Sequence, residues 1–295
     1  MTLAIQRLLP GDLAGRAAIL SLLANVALMV VKILAGVITG SVAVLSDGID
    51  SAQDVVAAGI AFFSVRIGAR PADPAHPFGH GRAETVAAAT QALLIAGGGV
   101  FILYRSMQRL LDPVEHIGTD IGLVVMLLAA LVNLGVGQYA RRVAGITGSP
   151  AIASEARHLM TNVVQAVAVL LGLALVALTG EVAFDSLVAF ALGLYLLWTA
   201  ALILWSAGGD VMDVSLTQNE VRVVEEAIQA EGDVIAGFHE LRTRRSGQSR
   251  HIDFHLSLRP EMSVADAHVI TDRIEARITS TWPEAVVTIH SDPSS

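Results

Sequence analysis

The sequence predicts an all-α membrane domain of six helices followed by a small α+β domain on the cytoplasmic side. Three observations lead there. The 295 residues are 54% hydrophobic and only 16% charged, a balance too apolar for a water-soluble chain of this length. The apolar residues gather in six early stretches, most of them as long as the roughly 20 residues a bilayer crossing needs. Charged residues thicken after about residue 210, which divides the chain into 1–209 and 210–295.

The six stretches cover residues 14–39, 42–66, 83–108, 121–139, 151–179 and 182–206. Turn chemistry separates them: Thr39-Gly40-Ser41, the proline-rich segment 71–81, Asp112-Pro113, residues 145–150 and Thr179-Gly180-Glu181. An even number of crossings returns both termini to one side. Arg7, Arg16, Arg66, Arg70, Arg82, Arg141 and Arg142 fall on that side, against Arg105 and Arg109 on the other. The positive-inside rule therefore makes the termini cytoplasmic. Small residues within 87–99, at Ala189 and Gly193, and in 207–209 predict close helix packing. Asn25 and Lys32 are polar within the first stretch; Lys32 is expected to snorkel or to pair with an acid, and no transport role is assigned to it. The N-terminus lacks the charged start, short apolar core and cleavage site of a signal peptide.

In the tail, Thr217 and Glu220 have the spacing of a capping box opening a helix with apolar Val221, Val224 and Ile228. Two strands follow, over 238–245 and 250–258, around Ser246-Gly247-Gln248. In the second, Ile252, Phe254, Leu256 and Leu258 alternate with His251, Asp253, His255 and Ser257, which puts them on opposite faces. A helix over 263–280 and a strand over 285–290 complete an α-β-β-α-β order. That order describes a ferredoxin-like unit with its helices on one face of the sheet.

Two polar pairs break the membrane pattern. Asp50 and Asp54 lie one turn apart in the second stretch, and His158 and Asn162 have the same spacing in the fifth. Residues i and i+4 share a helix face. A carboxylate in hydrocarbon costs about 3 kcal/mol or more unless it is paired, hydrated or bound to a cation. A divalent-cation site closed between two helices explains both pairs. Neutral His158 can ligate a metal and protonated His158 cannot, so proton and metal compete for it.

Cysteine is absent, which excludes disulfides, thiolate ligands and thiol catalysis and leaves His and carboxylates for any soft-metal site. Five of the nine histidines, His239, His251, His255, His268 and His290, fall in the tail with Asp253 and Asp292 close by. A single strand histidine is more often a surface or core residue than a ligand, and spacing alone does not show convergence. The net charge of -8, without a basic stripe, argues against nucleic acid as a partner. A zinc protease would need His-Glu-x-x-His on a span. The one His-Glu pair, His239-Glu240, lies in the tail and lacks the second histidine, so no enzymatic activity is expected.

The segments TGSVAVLSDGIDSAQD, PADPAHPFGHGRAE, HLMTN, HELRTRRSG, AHVITD and IHSDP resemble the cation diffusion facilitator family, and the resemblance covers nearly the whole chain. It implies a homodimeric, proton-coupled exporter of divalent metals in the bacterial inner membrane, with the bilayer, metal ions and protons as partners. Zn2+ is favoured, while Fe2+, Cd2+, Co2+ and Mn2+ accept similar ligands. The resemblance places a transport site at Asp50, Asp54, His158 and Asn162, where the family has Asp at the last position. It matches Asp73, His76 and His80 to a loop metal site. It matches His239, His255, His268, His290 and Asp292 to a binuclear site at the dimer interface. Arg82 and Asp213 are similar to the charged partners that interlock two protomers. Asp47, one turn before Asp50, is given a helper role, while His251 and Asp253 are further candidates without a family counterpart.

Asn162 leaves two carboxylates in the transport site, enough to balance a divalent ion but holding it less tightly. Asn162 is either natural tuning toward Fe2+ or another ion or an engineered replacement, and the charge balance is the same in both cases. In the loop, Pro71, Pro74 and Pro77 add stiffness and glycines flank His80, so metal binding is expected to order the segment modestly. The competing reading is a metal-responsive membrane scaffold or sensor that binds ions through its tail without moving them. Carboxylates at mid-membrane argue against it.

Overall fold

The computed structural model describes residues 13–39, 42–111, 120–180 and 183–294. The chain separates into two compact units, Met1–Ala207 and Gly208–Ser295. The first is helical: α1 (Leu13–Thr39), α2 (Val42–Gly68), α3 (Arg82–Leu111), α4 (Asp120–Thr147), α5 (Pro150–Thr179) and α6 (Ala183–Val211), the last running into the second unit.

The joint between α4 and α5 shows how the sequence ends one helix and starts the next. Gly148 adopts a positive φ of 71° and its N–H reaches back to the Ala144 carbonyl at 2.8 Å, a left-handed stop. Ser149 then accepts the Ile152 N–H at 3.3 Å as the cap, and Pro150 takes the first helical position, where its missing N–H does no harm.

Packing in this unit inverts that of a soluble protein. Ala14, Ala17, Ala18, Ala140, Ala151 and Ala156 are buried with Val65, Val143 and Ile152, and Ala88, Ala92 and Ala200 with Ile95, Leu192, Leu196 and Ile203. Large residues such as Leu23, Ile38, Leu178 and Trp205 face outward. Small residues inside and large apolar ones outside suit a lipid surround, where close backbone approach replaces the hydrophobic effect. At Gly193 an added Cβ would fall 2.7 Å from the Leu103 side chain and 3.1 Å from the Gly99 carbonyl. Gly99, in the small-residue stretch 87–99, and Gly193 thus lie at a close helix approach.

Among the described residues, three helices are long and apolar enough to cross a membrane, through Leu13–Ala35, Arg82–Gln108 and Ser186–Val211. Helices α2, α4 and α5 have 27, 28 and 30 residues.

The second unit contains α7 (Gln218–Gln229), β1 (Ile235–Ser246), β2 (Ser249–Leu258), α8 (Val264–Thr281) and β3 (Val286–Pro293). Its three-stranded sheet has the order β1-β2-β3, with β1 and β2 an antiparallel hairpin and β3 parallel to β2 through the α8 crossover. Val224 and Ile228 of α7, Ile252, Phe254, Leu256 and Leu258 of β2, and Ile270, Ile274 and Ile278 of α8 form one core. The other face of β2 is thereby left for polar residues.

The capping box forms: Thr217 accepts the Glu220 N–H at 3.4 Å, and Glu220 accepts the Thr217 N–H at 3.1 Å. Glu220 also takes Arg245 at 2.5 Å and Arg250 at 3.0 Å, tying α7 to both ends of the hairpin turn. Partial burial works against its ionisation, but hydrogen bonds from Thr217 and the two guanidinium groups hold it below the usual carboxylate range. Across the core, Glu231 binds Arg273 at 2.6 Å and Arg277 at 2.5 Å and so links the end of α7 to α8.

Candidate metal sites

Helix α2 carries Asp54 and helix α5 carries His158, and their side chains meet with His158 Nε2 donating to Asp54 Oδ1 at 3.0 Å. Both line a cavity of about 200 Å³ with Asn162, Ser51, Lys32, Asn133 and Gln165. His158 and Asn162 share one face of α5 because they are four residues apart. The side chains of Asp47 and Asp50 lie outside the described residues, though both positions are on α2. Of the four expected transport-site residues, Asp54, His158 and Asn162 come together.

The cavity is polar beyond the predicted pairs. Lys32 Nζ donates to Ser51 Oγ at 2.9 Å, so the lysine reaches into the cavity instead of snorkelling along the helix. Among the described residues, His158 Nδ1, Asn162 Nδ2 and Asn133 Oδ1 are buried without a hydrogen-bond partner. Such groups are costly unless something polar occupies the space beside them.

Behind the cavity lies a network that the sequence reading passed over. Glu155, three residues before His158, is fully buried; Ser21 donates to one of its oxygens and Gln91 Nε2 to the other at 2.8 Å. Gln91 also donates to the Ala57 carbonyl at 2.9 Å, which ties α1, α2, α3 and α5 around one carboxylate. At the N-terminal ends of α3 and α5, Ser149 donates to the buried Glu84. Glu155, like Asp50 and Asp54, is a carboxylate in an apolar helix, and its transfer cost marks it in the sequence on the same ground.

The loop after α2 brings Asp73, His76 and His80 together. Asp73 Oδ1 accepts the backbone N–H groups of Ala75 at 2.9 Å and His76 at 2.7 Å. His76 Nδ1 lies 3.2 Å from Oδ1, and His80 Nε2 lies 3.4 Å from Oδ2. Gly79, at φ 80°, supplies the left-handed residue that turns His80 back onto the carboxylate. The His76 backbone N–H is the largest cause holding Asp73 below the usual carboxylate range, and the His76 ring adds to it. One ligand atom from each of the three residues can share an ion.

In the tail, strand register does the positioning. His239 pairs with His255 across β1 and β2, and His255 pairs with His290 across β2 and β3. Three histidines thus stand in one row over three strands. Asp292, two residues beyond His290, returns to the same face of β3. His255 Nδ1 donates to Asp292 Oδ2 at 2.8 Å, His239 Nε2 lies 3.6 Å from the same oxygen, and His290 Nε2 is 3.1 Å from Oδ1. The His255 hydrogen bond is the main cause holding Asp292 below its usual range, with the charges of His290 and His239 adding to it. His239, His255 and Asp292 offer ligand atoms close enough to hold one metal ion.

A bulge in β1 shapes this row. The register shifts between His239 and Arg242, and Glu240 sits there at φ 53°. A non-glycine residue pays strain in that region, and bulges re-aim side chains. Here Glu240 Oε2 comes within 3.7 Å of His255 Nε2, a fifth group that spacing did not suggest.

Other tail candidates stand apart. His268 is largely exposed on α8, and its nearest acid is Asp272 at 3.7 Å. His251 is buried at the start of β2, paired in register with Arg244 and Val286. Asp253 is exposed and lines a groove with Asp213, Arg242 and Arg244, where Asp213 pairs with Arg244 at 3.6 Å. Arg82 opens α3.

Residues 18–212 match the family model of the cation efflux transmembrane domain, and residues 216–294 match that of the cation efflux protein cytoplasmic domain. The cation-efflux pump FieF of Klebsiella pneumoniae subsp. pneumoniae is 35% identical over 97% of this chain and 94% of its own length. FieF of Pectobacterium atrosepticum is also 35% identical, over 91% of this chain and 89% of its own. The solved structure of CzrB in its Zn form is 30% identical over 28% of this chain and 93% of that one, with a TM-score of 0.25. From the two matched domains and the full-length relatives, the chain belongs to the cation efflux family, the cation diffusion facilitators.

Proposed function

We propose that this chain is a proton-coupled antiporter that exports divalent transition-metal cations, Zn2+ foremost, from the cytoplasm. It works by alternating access, as a homodimer with six spans and cytoplasmic termini in a bacterial inner membrane. Residues 1–209 form the transport domain and 210–295 a metal-binding dimerisation domain. Full-length relatives named as cation-efflux pumps support export as the direction.

The observation that carries the reading is the contact between Asp54 and His158 inside a polar cavity between helices. The proton on His158 Nε2 occupies the lone pair that a metal would use, and it points at the oxygen that would be the second ligand. Metal bound by these atoms and proton held between them exclude each other, so each ion that enters releases a proton. Asp50 and Asn162 complete the transport ligand set, with the Asn162 amide supplying a neutral oxygen. Two carboxylates balance a divalent ion, and the Lys32 ammonium beside them adds a positive charge that favours release. The loop set of Asp73, His76 and His80, and the tail set of His239, His255, His268, His290 and Asp292, hold further ions that order the loop and close the tails on each other. His268 enters that set through the dimer, with Arg82 and Asp213 interlocking the protomers.

Flux into proteoliposomes carrying a zinc-sensitive dye tests this. Zn2+ should move across the bilayer, faster with an opposing proton gradient. Stoichiometric binding without flux, from a folded preparation, would establish the sensor reading instead.

A further inference from the structure

Helix α5 presents a second lined face. Residues 158, 161, 162 and 165 border the transport cavity, whereas residues 153, 156, 157 and 160 border a separate cavity of about 520 Å³ between α4, α5 and α6. At 100° per residue these sets lie on opposite sides of the helix. The second cavity brings together Arg141 of α4 and Arg157 of α5, above a wall of Ala156, Met160, Tyr195 and Thr199.

Its charge is one-sided. None of the lining residues is acidic, and neither guanidinium has a hydrogen-bond acceptor or ion-pair partner among the described residues. The Thr199 hydroxyl donates to the Tyr195 carbonyl at 3.0 Å, and as a neutral group it does not balance the guanidinium charge. Both arginines are exposed, so their charges are open to an anion from outside the chain. Guanidinium groups are matched in shape to the oxygens of a phosphate.

The depth of the cavity narrows the choice of anion. Arg141 lies six residues before the end of α4 and Arg157 seven after the start of α5, about 10 Å in from those helix ends. With cytoplasmic termini, that is the cytoplasmic headgroup level. A free phosphate would use the arginines alone, whereas the apolar wall beneath them suits the glycerol and first acyl carbons of a lipid.

We propose that this cavity is a binding site for the phosphate headgroup of an anionic phospholipid of the cytoplasmic leaflet. It stands against the back of the helix that carries His158 and Asn162.

Native mass spectrometry of the full-length protein in detergent tests it, with phosphatidylglycerol and phosphatidylcholine as probes. The wild type should retain phosphatidylglycerol in preference. R141Q and R157Q should each lower that retention about five-fold, the weight of one arginine at an anionic surface. R142Q removes a neighbouring exposed charge outside the cavity and should leave retention unchanged. Should R157Q not fold, R141Q decides. Retention in R141Q equal to the wild type, or an equal loss in R142Q, overturns the proposal. So does displacement of the lipid by inorganic phosphate, which would mark a site for soluble anions. Flux is not read in this experiment, so its failure is separate from any failure of the transport assignment.

Discussion

In the membrane unit Asp54 and His158 approach from two separate helices across a cavity, whereas in the tail His239, His255 and His290 stand in register on adjacent strands with Asp292 among them. The residue types are nearly the same and the mechanical consequences differ. Helices touch through small side chains and can slide or rock by a fraction of a turn, which separates a ligand pair such as 54 and 158 without breaking backbone hydrogen bonds. Strands are held by their ladder, so a ligand row across a sheet keeps its spacing. A site between helices is suited to taking up an ion and releasing it, and a site across strands to keeping one.

Asp54→Ala is the strongest way to break that comparison. It removes a carboxylate from the interhelical pair and should abolish Zn2+ flux in proteoliposomes, while calorimetric titration still finds the tail ions bound. Residual flux near the wild-type rate would mean the cavity is not the route.

Glu220→Ala tests the rigid side. It removes the capping box and leaves Arg245 and Arg250 without their shared acid. Loss of protection of α7, β1 and β2 in hydrogen exchange should correspond to about 2 kcal/mol. The pH dependence has a definite sign. Folding depresses the Glu220 pKa, so its contribution is complete above the unfolded carboxylate value of about 4.3 and disappears as pH falls through the lower folded value. The wild type should lose tail protection over that acid range, and the alanine variant should lack this component.

Asn162→Asp sharpens the charge argument. A third carboxylate in the cavity should tighten Zn2+ binding about ten-fold and steepen its pH dependence. An unchanged affinity would refute the link between carboxylate count and ion affinity at this site.

The smallest difference separates residues within the tail. Asp292→Ala takes away the carboxylate that three histidines approach, and should weaken tail metal binding about ten-fold. His268→Ala removes a residue that stands outside the row within one protomer, and should weaken binding less while disturbing metal-dependent dimer closure, read by the distance between labelled tails. Equal losses would place His268 in the same ion shell as Asp292.

Much of the fold was legible because local periodicity encodes it. The described helices overlie the apolar stretches, α7 begins where Thr217 and Glu220 have capping spacing, and β2 buries the alternating set Ile252, Phe254, Leu256 and Leu258. The polar pairs were legible for the same reason, since four residues make about one turn. The contacts of Lys32, Glu155 and Glu240 were not, because each is decided by a neighbour distant in sequence: Ser51, Gln91 with Ser21, and His255. Nor could spacing rank the tail histidines, for His251 and His255 share a strand face while only one of them meets Asp292.

The sequence by itself determined which residues are helical, which are strand and which carry costly polarity in an apolar setting, because these follow from side-chain period and transfer energy along the chain. Tertiary structure alone decided that Asp54 faces His158, that Lys32 reaches into their cavity, and that a β1 bulge and parallel β3 gather three histidines on Asp292. Convergence is a property of register and helix rotation between elements, and those are set by the packing of small residues and strand ladders far from the ligands themselves.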